Sequence, residues 1–201
     1  MVISMIGGNQ HLTLGLVEGP EPFDFECPQV AGIDRTRRII PHAEVRAALF
    51  ETFHKVLDRM RGLREAYRDK PMAHVSAPPP KSDPKMLANN LRAYHPGDDA
   101  EVAIVPRKIN LKLHHLQNDI LREFCAENQI DFIDPPPNTR DTSGFLQRQY
   151  WQRDAAHANK LYGDEILNSI RSYAGSVANA PNGPKTVAGV GTGSPGLQGR
   201  P

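Results

Sequence analysis

Apolar and polar residues alternate along this chain with a period that changes several times, and each change marks an element. Val2 to Ile6 is a nearly unbroken apolar run, which predicts a short parallel strand covered on both faces. From His11 to Ile40 the pattern breaks up, and Gly19, Pro20, Pro22 and Pro28 exclude long regular elements. After Pro41, residues Val45, Leu49, Phe53, Val56, Met60 and Leu63 recur at helical spacing. Glu44, Arg46, Glu51, Lys55, Asp58 and Arg61 fall on the opposite face, so one amphipathic helix to about Arg68 is expected. Met72 to Ala77 predicts a second strand, stopped by Pro78, Pro79 and Pro80. Residues 82–94 predict a short helix, capped by Ser82 or Asp83 with Pro84 in its first turn. A turn at His95, Pro96 and Gly97 follows. Leu113, Leu116, Ile120 and Phe124 then define a long helix over roughly 107–127. Ile130 to Ile133 predicts a third strand ended by prolines 135–137. A loop over 138–153 leads to a closing helix with Leu161, Ile166 and Ile170 facing inward.

Strand and helix in strict alternation predict an α/β fold, a flavodoxin-like parallel sheet with helices on its faces and right-handed crossovers. The domain spans residues 1–173. The segment 174–201 is rich in Gly, Ala, Pro and Ser without an apolar period, which predicts a disordered tail. Open parallel sheets bind ligands outside the carboxyl ends of their strands. Asn9 follows the first strand, Pro78 to Ser82 the second, and the loop with Asp154 and His157 the third. These three loops are expected on one edge.

Composition narrows the function classes. Lys+Arg number 24 against Asp+Glu 23, a balance that gives no pull toward nucleic acid or an anionic membrane. No apolar run approaches the roughly 20 residues that span a bilayer. Cys27 and Cys125 are too few for a disulfide framework, and Cys125 falls on an apolar helical face as a reduced core thiol would. The chain is expected to use no cofactor and no metal. His114 and His115 are helix neighbours pointing about 100° apart, so they do not chelate one ion together. One is expected at the surface and one partly packed.

Two short blocks carry candidate chemistry. Asp154-Ala155-Ala156-His157 places a carboxylate three residues before a histidine, and a histidine base needs such a partner to fix its tautomer and stabilise the imidazolium. Gly7-Gly8-Asn9 places a side-chain amide in a tight turn after the first strand. Taken singly, Asp154 also suits a helix N-terminus, His157 a surface first turn, and Asn9 a turn with positive φ.

In this order and separation the blocks resemble the SGNH (GDSL-type) hydrolase family. Gly7-Gly8-Asn9-Gln10 is similar to its G-x-N-D block, with Gln10 replacing Asp, and Asp154 to His157 to its D-x-x-H block. Gly144-Phe145-Leu146, Asn159 and Tyr162-Gly163 are also similar to members. The resemblance implies a three-layer α/β/α fold, N-terminally incomplete, and acyl or acetyl ester hydrolysis through an acyl-enzyme. It implies His157 as general base, Asp154 as its partner, and Asn9 with Gly7 at the oxyanion hole. The family's G-D-S and lone-glycine blocks, and with them the nucleophilic serine, have no counterpart here. Ser4 lies within the first strand, roughly 16 Å from Asn9 at about 3.3 Å per residue. Ser143 lacks an elbow around it, and Ser194 sits in the tail without an adjoining acid. His11 is expected to line the cleft.

Three readings of the N-terminus follow as expectations. The chain is a fragment of a complete hydrolase, an inactive relative that binds rather than cleaves, or one part of a site completed by another polypeptide. Without further strands, Val2 to Ile6 would form a bare apolar edge inclined to self-association. The expected ligand is a small-molecule, carbohydrate or lipid acyl ester, and the expected compartment the cytoplasm.

Overall fold

The computed structural model describes residues 1–94 and 103–179. Three parallel strands form its main sheet: β1 (Val2–Ser4), β4 (Met72–Val75) and β5 (Asp131–Ile133), in the order β1-β4-β5. The register pairs Val2 with Met72, Ser4 with His74, and His74 with Phe132. A separate parallel ribbon joins β2 (Phe23–Asp24) to β3 (Arg38–Ile39). Six helices are described: α1 (His11–Gly15), α2 (His42–Glu51), α3 (His54–Ala66), α4 (Pro84–Tyr94), α5 (Arg107–Glu127) and α6 (Lys160–Asn179).

Strand alternation assigns the two faces of the sheet. Val2, Met72 and Phe132 pack into one core with Leu49, Phe53 and Met60 of the α2–α3 segment and Leu113, Leu116 and Ile120 of α5. Ile3, Val75 and Ile133 pack into a second core with Leu146, Tyr150 and Ile166. All four residues of β4 are buried because both its faces and both its edges are covered. The fold is therefore α/β, a parallel sheet with helices on both sides, consistent with a flavodoxin-like arrangement.

The expected helix after Pro41 is two helices. The Thr52 hydroxyl and backbone N–H both bond to the Leu49 carbonyl, and the Phe53 N–H bonds to the Phe50 carbonyl at 2.8 Å. These i→i−3 bonds tighten the chain and close α2 before α3 begins. Asp83, not Ser82, caps α4, accepting the N–H groups of Lys85 and Met86. Leu161 is exposed rather than inward, while Ile166 is buried as expected. Helix α6 continues to Asn179, past the point where the apolar period ends. Residues 180–201, with Ser194, and the turn at His95 to Gly97 lie outside the described residues.

Ser4 and Cys125 are buried, as a core serine and a core thiol should be. The ribbon is fastened to α5 by a buried ion pair, Lys112 Nζ to Asp24 Oδ1 at 2.7 Å, with the Phe25 carbonyl accepting a second bond at 2.8 Å. Among the described residues no helix is long and apolar enough to cross a membrane.

Candidate functional site

A cleft of about 750 Å³ opens at the carboxyl edge of the sheet. Gly7, Gly8 and Asn9 line it from the end of β1, Ser76 to Pro78 from the end of β4, and Ala156 to Asn159 from the loop before α6. Tyr162, Ile166 and Ile170 of α6 complete a largely apolar wall. Asn9 and His157, 148 positions apart in sequence, thus face one cavity.

The first wall is a turn shaped by its glycines. Gly7 and Gly8 adopt φ of +82° and +118°, which L side chains rarely take. A Cβ on Gly7 would meet Val56 at 2.9 Å, and one on Gly8 would meet Ala77 at 3.0 Å. Gln10 turns back so that its Oε1 accepts the Gly8 N–H at 2.8 Å and closes the turn from its own side chain. Gln117 of α5 then spans the turn. Its Nε2 donates to the Gly8 carbonyl at 2.8 Å and its Oε1 accepts the His11 N–H at 2.9 Å. Asn9 is exposed, and among the described residues its side-chain amide makes no hydrogen bond.

His11 corrects an expectation. It does not line the cleft but points into the protein, buried, with Nδ1 3.1 Å from Gln117 Oε1 and its ring edge-on to His114. Burial pushes its pKa down to about 4, despite the opposing bonds to Gln117 and Gly8, so it stays neutral. His114 is held well below the ordinary histidine range, by burial first. It is fully packed rather than partly so, and His115 is half-buried beside it. No group of three His, Cys, Asp or Glu side chains among the described residues is arranged to hold a metal ion.

The second wall is a tight loop. Trp151 and Ala158 form an antiparallel bridge, and the Gln152 N–H bonds to the His157 carbonyl at 3.2 Å, leaving Asp154 to His157 at the tip. Asp154 Oδ1 accepts the N–H groups of Ala156 and His157, while Oδ2 lies 3.0 Å from His157 Nδ1. With Nδ1 facing the carboxylate, Nε2 is the nitrogen left to exchange a proton with a ligand. The His157 side chain is 70% exposed. Burial pushes the Asp154 carboxyl upward, but the two backbone N–H groups, the His157 ring and the Lys81 ammonium outweigh it and hold it below the ordinary carboxylate range. Asp154 is not a helix cap. That task falls to Asn159, whose Oδ1 accepts the N–H groups of Leu161 and Tyr162.

Lys81 ties this loop to the strand ends. Buried, its Nζ donates to the carbonyls of Gln152 at 2.9 Å and Asp154 at 2.5 Å, and lies 3.7 Å from Asp154 Oδ1. Burial lowers its pKa, and the Asp154 carboxylate opposes that shift. Sequence inspection missed both Lys81 and Gln117. The signal available was a lone cation after three prolines and an amide on an apolar helical face.

No serine among the described residues stands ready beside His157. Ser76 lines the cleft, but its hydroxyl is buried and bonds to Asn118 Oδ1 and the Ala77 carbonyl. Ser4 packs against the His74 ring, and Ser143 is exposed outside the cleft lining.

No family model and no curated protein matches the chain. A solved structure provisionally described as a platelet activating factor from Streptococcus pneumonia aligns with it over 82% of this chain and 88% of that one. The two share 13% identity, with a TM-score of 0.40.

Proposed function

We propose that residues 1–173 carry the base and oxyanion half of an SGNH (GDSL-type) ester hydrolase site. The observation that supports this most is the convergence of Asn9 and the Asp154–His157 pair on one cleft at the carboxyl edge of a parallel sheet. In this reading a serine Oγ attacks the ester carbonyl while His157 Nε2 takes its proton. Asp154 stabilises the imidazolium, and the Asn9 N–H₂ donates to the oxyanion beside the Gly7 backbone. The imidazolium then protonates the departing alkoxide, and water releases the acid from the acyl-enzyme by the reverse sequence. The nucleophile has to be a serine other than Ser4, Ser76 or Ser143.

The first test is a rate. The 201-residue chain is expected to hydrolyse p-nitrophenyl acetate no faster than its His157→Ala variant. A saturable, His157-dependent rate would overturn the claim that the nucleophile lies elsewhere. The second test is the intact mass and N-terminal peptide of the protein from its natural source, together with any polypeptide bound to it. A G-D-S segment on either supports the hydrolase. Its absence from both leaves a second reading, a non-catalytic binding protein. Among the described residues β1 is paired on one edge alone, and its other edge and the apolar lining of the cleft favour that alternative.

A further inference from the structure

A second cavity, of about 410 Å³, lies between α5, the proline loop that follows β5, and α6. Its lining includes Arg140, His115, Asn118, Arg122 and Ser169, and Pro135 and Pro136 stiffen one side. The charges around it differ in how they are used. Arg122 is consumed by two carboxylates, Asp119 Oδ1 at 2.9 Å and Asp134 Oδ1 at 2.7 Å, and Gln29 donates to the other oxygen of Asp119. Arg140 is half-buried, yet among the described residues its guanidinium forms no ion pair and donates no hydrogen bond. A partly desolvated guanidinium with five idle N–H donors is an unusual expense for a fold to retain.

We propose that this cavity binds a small monocarboxylate, held in a two-point contact by Arg140. The planar fork of a guanidinium matches both oxygens of a carboxylate. The rest of the ligand would meet neutral polar groups, the His115 ring, Asn118 and the Ser169 hydroxyl. His115 favours its neutral form, through burial first and through the Arg140 and Arg122 charges, against the pull of Asp119. The Asp119–Arg122–Asp134 group carries one net negative charge, which selects against a phosphate dianion or a dicarboxylate.

Acetate is the simplest probe. Titrated into the full chain at constant ionic strength, it is expected to bind with a dissociation constant of about 1–10 mM. It should shift the Gly144 and Ser169 amide resonances and leave those of Gly8 and His157 in place. Arg140→Lys keeps the charge but loses the fork, and should weaken binding at least tenfold; Arg140→Gln should abolish saturation. Inorganic phosphate should bind at least tenfold more weakly than acetate. The proposal is overturned by an acetate response that chloride reproduces, by no saturation up to 100 mM, by shifts confined to the cleft, or by phosphate binding as tightly as acetate. Because all four overturning outcomes are read on the unmutated chain, a variant that fails to fold does not rescue it.

Discussion

The two walls of the cleft are held by opposite kinds of chemistry. The Gly7–His11 turn is fixed from inside by neutral groups: Gln117 bonds to both of its ends, and the buried His11 ring packs behind it. The Asp154–His157 loop is fixed by a buried cation, Lys81, on two carbonyls and beside a carboxylate. The first wall presents the exposed Asn9 amide on a turn whose backbone is pinned by neutral hydrogen bonds. The second presents an acid hydrogen-bonded to a histidine, and against the upward push of burial the N–H groups of His157 and Ala156, the His157 ring and Lys81 together hold Asp154 below the ordinary carboxylate range. Each anchor suits what its wall displays.

Acid should break the comparison most strongly, and on one side first. His11 and His74 are both pushed down to about 4, by burial in each case. Between pH 6.5 and 4 the unfolded chain therefore binds more protons at these sites than the folded one, so stability falls as pH falls through that window. At pH 4.5 the loss is about 2–3 kcal/mol for each histidine. Urea midpoints at pH 7 and 4.5 measure it. His114 and His115 are shifted the same way and add to the slope, so His11→Gln should remove only its own share of the pH dependence, and an unchanged slope would show that His11 does not titrate on unfolding.

Lys81→Met is the matching cut in the second wall. It strands the carbonyls of Gln152 and Asp154 and should cost about 1–3 kcal/mol. Hydrogen exchange should quicken at Ala156 and His157 while the Leu12 amide keeps its protection. If protection falls equally in both walls, Lys81 supports the fold at large rather than the loop.

Gln117→Leu should show the mirror pattern with a somewhat smaller effect, about 1–2 kcal/mol, since only neutral hydrogen bonds are lost. Exchange should rise at His11 and leave Ala156 unchanged. A loss spread through the whole of α5 would mean that Gln117 serves helix packing and not the turn.

Local pattern carried a large part of the architecture. The strands at 72 and 131, the helices α4 and α5, and the burial of Ile166 all follow from short-range periodicity and from prolines at element ends. The break between α2 and α3 does not, because the apolar face is continuous across Thr52 and only three local hydrogen bonds to two carbonyls separate the helices. Leu161 stands at the start of α6, where period alone assigned it inward. The packed stripe begins instead at Tyr162 and Ile166.

The candidate site divides along the same line. The Asp154–His157 contact was legible because it closes over three residues, and Gly7-Gly8-Asn9 because positive φ has a glycine signature. The sequence by itself determined the strand–helix alternation, the edge on which the loops open, and the residue types offered there. The tertiary structure alone decided that His11 turns inward, that Lys81 and Gln117 are anchors, and that Arg140 stands without a partner among the described residues. Those outcomes depend on desolvation and on hydrogen bonds between residues some 70 to 110 positions apart, such as Lys81 with Asp154 and His11 with Gln117. Burial energies of polar groups are set by what surrounds them, and no periodicity in the chain records the surroundings.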